Sequence, residues 1–133
     1  MRAPVRALAP WLAAGLLASL FPSTVSAGDA EEGRKAYELR CWACHGVRGT
    51  GDGPAALAVD PPPRNFTTGV FKFDADKDGV VGTDEDLRLV IKKGAAAFGG
   101  NPVMVPWMQL SDSEIADLIA FIRSLGPPET ARD

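Results

Sequence analysis

The sequence predicts a helical fold, and three observations support the prediction. Residues 29–40 begin with an acidic first turn, and residues 83–93 and 111–125 carry helix-capping residues and apolar residues at helical spacing. The stretches between these segments are rich in Gly and Pro, which interrupt regular elements. No βαβ pattern is found. We therefore expect short helices joined by irregular segments.

Residues 1–27 have the features of a secretory signal peptide. Arg2 and Arg6 form a basic start, residues 7–20 are apolar, and Val25-Ser26-Ala27 is a small-residue cleavage site. The apolar run is shorter than the roughly 20 residues of a membrane-spanning helix. We therefore expect export to the periplasm and cleavage after the tripeptide, with no stable membrane insertion afterwards. An uncleaved membrane anchor is the alternative.

Residues 28–133 form a single predicted domain of about 106 residues. Removing the signal peptide removes two basic residues and no acidic one, which leaves 12 basic against 17 acidic residues and a net charge of −5. An acidic chain of this kind is not expected to bind nucleic acid. It would favour a partner that offers a basic docking patch.

The strongest motif is Cys41-Trp42-Ala43-Cys44-His45, which has the C-x-x-C-H spacing of a covalent haem attachment site. Two thiols at this spacing lie on one side of a helical turn and can each add to one of two neighbouring vinyl groups. The following imidazole can then coordinate the iron. All the Cys and His residues of the chain lie in this motif.

Three other interpretations of the Cys pair are weaker or stay open. A thioredoxin-like redox couple is expected beside a βαβ pattern, which is missing. Structural zinc normally takes four protein ligands, and the chain offers no further Cys or His. A plain disulfide remains possible in an oxidising compartment.

The first helix is predicted to begin with an acidic turn and to present Gly33 and Tyr37 on one face, where another element approaches closely. Residues 46–65 are predicted to be a Gly- and Pro-rich loop that wraps the cofactor. In this loop the carbonyl of Pro54 is a candidate acceptor for the His45 ring nitrogen that does not bind iron.

Residues 74–85 match the calcium loop of an EF-hand. In this interpretation three alternate carboxylates, a backbone carbonyl and a distal carboxylate bind the cation; they are Asp74, Asp76, Asp78, Val80 and Glu85. The helix that normally precedes such a loop is missing. The alternative is a solvated acidic turn that leads into the next helix.

Two further helices are predicted from their caps. Thr83 caps a helix that ends at Lys93 before Gly94. Ser111 and Glu114 form a capping box for the last helix, whose apolar residues recur at i, i+3, i+4 and i+7.

The chain resembles small bacterial class I c-type cytochromes along essentially its whole length after the signal peptide. The matching segments are Gly33-x-x-x-Tyr37, Cys41-x-x-Cys44-His45-Gly46, Gly51-Asp52-Gly53-Pro54, residues 61–67, Phe71-Lys72-Phe73, residues 83–87, Met104-x-Pro106-Trp107 and residues 110–125.

The resemblance implies an all-α class I cytochrome c fold, with short helices wrapped around one covalently bound haem. It implies that the first and last helices cross near Gly33 and Tyr37, and that iron is held by His45 and a Met sulfur. The spacing known for the family favours Met104 over Met108. Two departures are Val105, which separates the ligand Met from the following Pro, and the acidic loop.

The function expected from this resemblance is one-electron transport in the periplasm. With His and Met on the iron no coordination site is open, and Met ligation raises the reduction potential. The donor and acceptor proteins are not identified by the sequence. The alternatives are a haem-bearing subunit of a larger oxidoreductase complex and a haem protein with an open iron site. No nucleophile–base pair suggests an enzyme.

Overall fold

The computed structural model describes residues 27–128, and the fold within this range is all-α. Four α-helices occur in the order α1, Ala30–Arg40; α2, Trp42–His45; α3, Asp84–Lys93; and α4, Asp112–Leu125. Three short 3₁₀ helices lie in the connections, at Ala56–Ala58, Phe66–Thr68 and Ala95–Phe98. Residues 27–128 contain no strand, which confirms the predicted fold class. The predicted signal peptide lies almost wholly outside the described residues.

Helix α1 begins because the Asp29 side chain accepts hydrogen bonds from the backbone N–H groups of Glu31 and Glu32. The sequence placed Asp29 inside the helix, whereas the structure makes it the cap. Helix α1 ends at Arg40, and Cys41 joins it directly to α2. The Cys-containing motif therefore directly follows α1, which makes the most extensive contact between helices in the described chain.

That contact is the crossing of α1 and α4, as the resemblance implied. A Cβ atom at Gly33 would lie 1.9 Å from the carbonyl oxygen of Asp117, so only glycine lets the two backbones approach this closely. Tyr37 is fully buried, and its ring centroid lies 5.0 Å from that of Phe121. Its hydroxyl donates a 2.7 Å hydrogen bond to the carbonyl of Gly46.

Helices α3 and α4 each begin with a complete capping box. Thr83 pairs with Asp86 at the start of α3, and Ser111 pairs with Glu114 at the start of α4. The predicted apolar face of α4 is buried, namely Ile115, Leu118, Ile119 and Ile122. The core continues through Leu87 and Ile91 of α3 and through Leu110 and Phe66. Within residues 27–128, no helix combines the length and the apolar character needed to cross a bilayer.

Candidate functional site

A cavity in the described structure has a volume of about 380 Å³ and a mainly apolar wall. Its wall comes from the end of α1, from α2, α3 and α4, and from the segments that join them. The apolar lining includes Val59, Phe66, Phe71, Leu87, Val90, Ile91, Trp107, Leu110, Leu118 and Ile122. The same wall carries the side chains of Cys41, Cys44, His45 and Met104. The cavity therefore brings together the four haem-binding residues expected from the sequence.

The His45 ring is held in one orientation by residues 64–66. Its Nδ1 atom lies 3.0 Å from the carbonyl oxygen of Arg64, and its ring stacks on Phe66 with centroids 4.4 Å apart. Nδ1 therefore carries the proton, which leaves Nε2 available as a metal ligand. The expected partner, the Pro54 carbonyl, is wrong. The chain returns to His45 through the segment after the three prolines, and the Arg64 carbonyl takes that position.

Burial lowers the pKa of His45, although the hydrogen bond to the Arg64 carbonyl acts in the opposite direction. The imidazole is therefore neutral at neutral pH. Neutral imidazole is the form that binds a metal, because the free nitrogen keeps its lone pair. Burial and the hydrogen bond to the Arg64 carbonyl together prepare His45 for ligation.

The two Cys residues lie on one turn, as their spacing predicted. The N–H groups of Cys44 and His45 both donate to the carbonyl of Cys41, at 3.2 and 2.9 Å. Both thiols are free and half-buried. Burial raises the pKa of Cys41 to about 11, so this thiol is protonated at neutral pH. Within the described chain, Cys41, Cys44 and His45 do not form a group whose ligand atoms could together bind one metal ion, which disfavours a zinc site.

Met104 and Met108 have different surroundings. Met104 packs against the hydrophobic core and lines the cavity. Its backbone is fixed by a hydrogen bond from the Ala95 N–H to its carbonyl, at 3.1 Å. Met108 is 73% exposed and is not part of the cavity wall. Of these two thioethers, only that of Met104 faces the volume that His45 and the Cys residues line.

These donors fit a covalently held haem. The cavity is apolar, as the faces of a porphyrin require, and it has two thiols and an imidazole on one stretch of its wall. Met104 adds a thioether, which is a donor type that binds the iron in cytochromes c. A haem held by these residues would supply reversible one-electron chemistry.

The acidic loop brings three of the five predicted calcium ligands together. Asp74, Asp76 and Asp78 each offer a carboxylate oxygen, and these atoms lie within 4.8 Å of one another. Asp74 Oδ1 is buried and accepts no hydrogen bond within the described chain. Desolvation is the main cause that raises the pKa of Asp76, and the neighbouring carboxylates add to it.

The other two predicted ligands are not part of this group. Glu85 forms an ion pair with Arg88, one turn along α3, and Arg88 Nε donates to it at 2.6 Å. Val80 is 58% exposed, and its N–H donates to Asp78 at 2.7 Å. A cation bound by all five residues would therefore have to draw Glu85 away from Arg88.

Sequence reasoning missed three residues at the site. Phe66 and the Arg64 carbonyl hold His45, and both follow the three prolines, where the chain turns back toward the motif. The third is Asp86, a fully buried carboxylate in the cavity wall. Its signal was present, since Thr83-x-x-Asp86 has the pattern of a capping box.

Comparison with known proteins gives consistent matches. A family model described as Cytochrome c matches residues 30–126. The chain is 31% identical over 109 residues to the cbb3-type cytochrome c oxidase subunit CcoP of Azospirillum brasilense, covering 81% of this chain but only 32% of that subunit. It is 33% identical over 103 residues to cytochrome c 2.1 of Caenorhabditis elegans, covering 75% of this chain and 92% of that protein.

A solved structure is similar as well. It belongs to the reducing HAO-like protein complex of Kuenenia stuttgartiensis, with a TM-score of 0.67 and 32% identity. The match covers 81% of this chain and 47% of that chain. The chain thus spans about a third of the oxidase subunit and about half of this structural relative.

Proposed function

The chain belongs to the cytochrome c family, and from this premise we propose that it is a periplasmic one-electron carrier with one covalently bound haem. The observation that carries the proposal is that one mainly apolar cavity is lined by Cys41, Cys44, His45 and Met104. Haem-based electron transfer agrees with the family. The covalent attachment, the axial ligands and the location are the parts that we add.

Each residue has a defined role in this proposal. Cys41 and Cys44 would hold the haem through thioether bonds, and His45 would bind the iron through Nε2. The Arg64 carbonyl accepts a hydrogen bond from Nδ1–H, which fixes the tautomer and makes Nε2 a better electron-pair donor to the iron. Met104 would supply the second protein ligand to the iron. With both ligands in place, no site would be left for a substrate, so the protein would carry electrons and would not act as an enzyme.

The second candidate is a haem-bearing subunit of a larger oxidoreductase complex. It is favoured by the two relatives that belong to assemblies, a subunit of a cbb3-type oxidase and a chain of a HAO-like complex. Both relatives are longer than this chain. Purification from the native host separates the candidates, since a stoichiometric partner protein supports the subunit and a lone protein supports the free carrier.

An open-site haem protein is the third candidate, and it requires that Met104 stay off the iron. Carbon monoxide that binds to the reduced protein at neutral pH would support this candidate. The position of Met104 in the cavity wall favours the closed, six-coordinate site.

The experiment that tests the main proposal is an intact mass with an absorption spectrum. The chain is expressed with a cytochrome c maturation system, and the exported protein is purified. We expect a chain that starts at Gly28 and carries the mass of one haem, with the spectrum of a low-spin, six-coordinate iron. A chain without added haem mass would overturn the proposal, and a retained Arg2 would show an uncleaved anchor.

Calcium binding at the acidic loop stays a prediction of the sequence. It is supported by the grouping of Asp74, Asp76 and Asp78 and by the buried oxygen of Asp74, which accepts no hydrogen bond from residues 27–128. It is opposed by the ion pair between Glu85 and Arg88. Its role would be structural, because it would stiffen the loop before α3.

A further inference from the structure

Asp86 is an ionisable side chain that has no role in the proposed function as described so far. It is 0% exposed, the only charged residue in the buried class of the described chain. Both of its carboxylate oxygens accept hydrogen bonds. Oδ1 accepts from the N–H groups of Ala75 and Asp76, and Oδ2 accepts from the N–H and the hydroxyl of Thr83, at 2.8 and 3.0 Å.

These four donors join two parts of the structure. Ala75 and Asp76 belong to the acidic loop, whereas Thr83 is the cap of α3. Asp86 itself is in the first turn of α3, so one carboxylate closes the loop onto the helix. The residues that follow it on α3, Leu87, Val90 and Ile91, line the cavity. Asp86 therefore fixes where α3 begins along the cavity wall.

The charge of Asp86 is stabilised by neutral donors and not by a cation. The neighbouring acids each have a basic partner, since Asp84 pairs with Arg123 and Glu85 pairs with Arg88. No such partner contacts Asp86 within residues 27–128. Burial opposes its ionisation, but the donors of Thr83, Ala75 and Asp76 all face its two oxygens, so these contacts stabilise the charged carboxylate.

A buried negative charge therefore lies in the wall of a mainly apolar cavity, whose lining also includes the basic residues Arg40, Arg64 and Lys72. Charges interact more strongly in such surroundings than in water, and salt screens them less. One-electron reduction removes one unit of positive charge from the cavity. A buried anion in the wall favours the oxidised state, because its electrostatic attraction to the oxidised haem, which carries one more positive charge, is stronger than its attraction to the reduced haem.

We propose that Asp86 is a positioning residue that holds the acidic loop on α3 and, through its buried charge, lowers the reduction potential of the haem in this cavity. The inference rests on the proposed function, because it requires that a haem occupy the cavity. It assigns to the acidic segment and α3 a contribution to the redox chemistry that does not depend on a bound cation.

The test compares two substitutions, two residues apart in the chain, that each remove one negative charge. Asp86→Asn neutralises the buried carboxylate, and Asp84→Asn neutralises a carboxylate that is 72% exposed. The midpoint potential of each haem-loaded protein is measured by mediated titration at low and high salt. Asp86→Asn is expected to shift the ratio of reduced to oxidised protein about tenfold toward reduced, which is about 59 mV for one electron.

For Asp84→Asn we expect less than a twofold shift, and this shift should disappear at high salt because the carboxylate is solvated. The Asp86→Asn shift should persist at high salt. Equal shifts in the two variants, or an Asp86→Asn shift that salt abolishes, would overturn the inference.

Two further variants distinguish the effect of the Asp86 charge on the reduction potential from the effect of local packing. Asp86→Glu keeps the charge and should keep the ratio within twofold of wild type, even if the longer side chain lowers stability. Thr83→Val removes a donor but leaves the carboxylate charged, so it should speed amide hydrogen exchange at Ala75 and Asp76 without a comparable shift in potential. A tenfold shift in either variant would mean that packing, not charge, sets the potential.

Failure of the inference and failure of the proposed function give different results. If wild type carries no haem, the proposed function fails before any potential is measured. If wild type has a six-coordinate haem and Asp86→Asn has the wild-type potential, only the inference fails. Should Asp86→Asn not fold, Asp86→Ser provides a smaller neutral side chain, and a shift in Asp86→Glu still contradicts the proposal.

Discussion

The Nδ1 atom of His45 lies 3.0 Å from the carbonyl oxygen of Arg64, 19 residues further along the chain. Phe66, two residues after Arg64, stacks on the same imidazole with an interplanar angle of 16°. One short segment therefore contacts the ring at its edge and on its face. Because a metal-ligating imidazole needs a fixed orientation, this segment is as much part of the site as the Cys motif.

Phe66→Ala is expected to destabilise the haem-loaded protein by about 3–5 kcal/mol, because it removes a large side chain that is 92% buried and leaves a cavity beside His45. The measurement is chemical unfolding monitored by far-UV circular dichroism. Leu57→Ala is the control, since Leu57 is 99% exposed and its truncation should change stability by less than about 0.5 kcal/mol. Similar losses in the two variants would contradict this description of the site.

Gly33→Ala is expected to destabilise the protein by about 1–3 kcal/mol, because the new methyl group would meet the Asp117 carbonyl at 1.9 Å. The sign is diagnostic, since Gly→Ala inside an exposed helix normally stabilises by up to about 1 kcal/mol. Thermal unfolding measures the change. Leu39→Ala on the same helix is the control, because Leu39 is 76% exposed and should be nearly neutral. A more stable Gly33→Ala variant would show that the two helices can separate at no cost.

The features that the sequence predicted well are local. Ser111 and Glu114 predicted the start of α4 because both partners of the capping box lie within one turn. Thr83 predicted the start of α3 for the same reason. The Cys motif fixed its own geometry, since the N–H groups of Cys44 and His45 bond to the carbonyl of Cys41 within a single turn.

The features that it missed depend on how distant segments return to the site. The acceptor for His45 is a backbone carbonyl, which every residue has, so Pro54 and Arg64 could not be distinguished by residue type. In the sequence, Asp86 is one of three consecutive acidic residues at the predicted start of α3. Its burial follows from the loop that folds over it, and its contacts with Ala75 and Asp76 span ten or more residues.

Met104→Ala is expected to remove the ferric sulfur-to-iron charge-transfer band and to lower the reduction potential, because a Met ligand stabilises the reduced state. The absorption spectrum of the oxidised protein and a potential titration measure both effects. Met108→Ala is the matched control, since its side chain is 73% exposed and lies outside the cavity wall. Loss of the band in Met108→Ala alone would assign the axial ligand to Met108.

Calcium is expected to raise the melting temperature of chelator-treated protein through Asp74, Asp76 and Asp78. With a dissociation constant of about 10⁻⁴–10⁻³ M, as in weak extracellular sites, 10 mM calcium would stabilise the folded state by about 1.4–2.7 kcal/mol. Asp74→Asn should abolish most of this gain. Asp84→Asn, which changes a carboxylate outside the group, should retain it.

Arg88 provides a sharper test of whether Glu85 takes part. Arg88 holds Glu85 in an ion pair, so calcium has to compete with it for that carboxylate. Arg88→Gln frees Glu85 and removes a nearby positive charge, and we expect it to strengthen calcium binding in isothermal titration calorimetry. Glu85→Gln should weaken binding. If neither variant changes the affinity, the cation is held by the three Asp residues alone. If wild type shows no heat of binding and no rise in melting temperature at 10 mM calcium, the loop is an ordinary acidic turn.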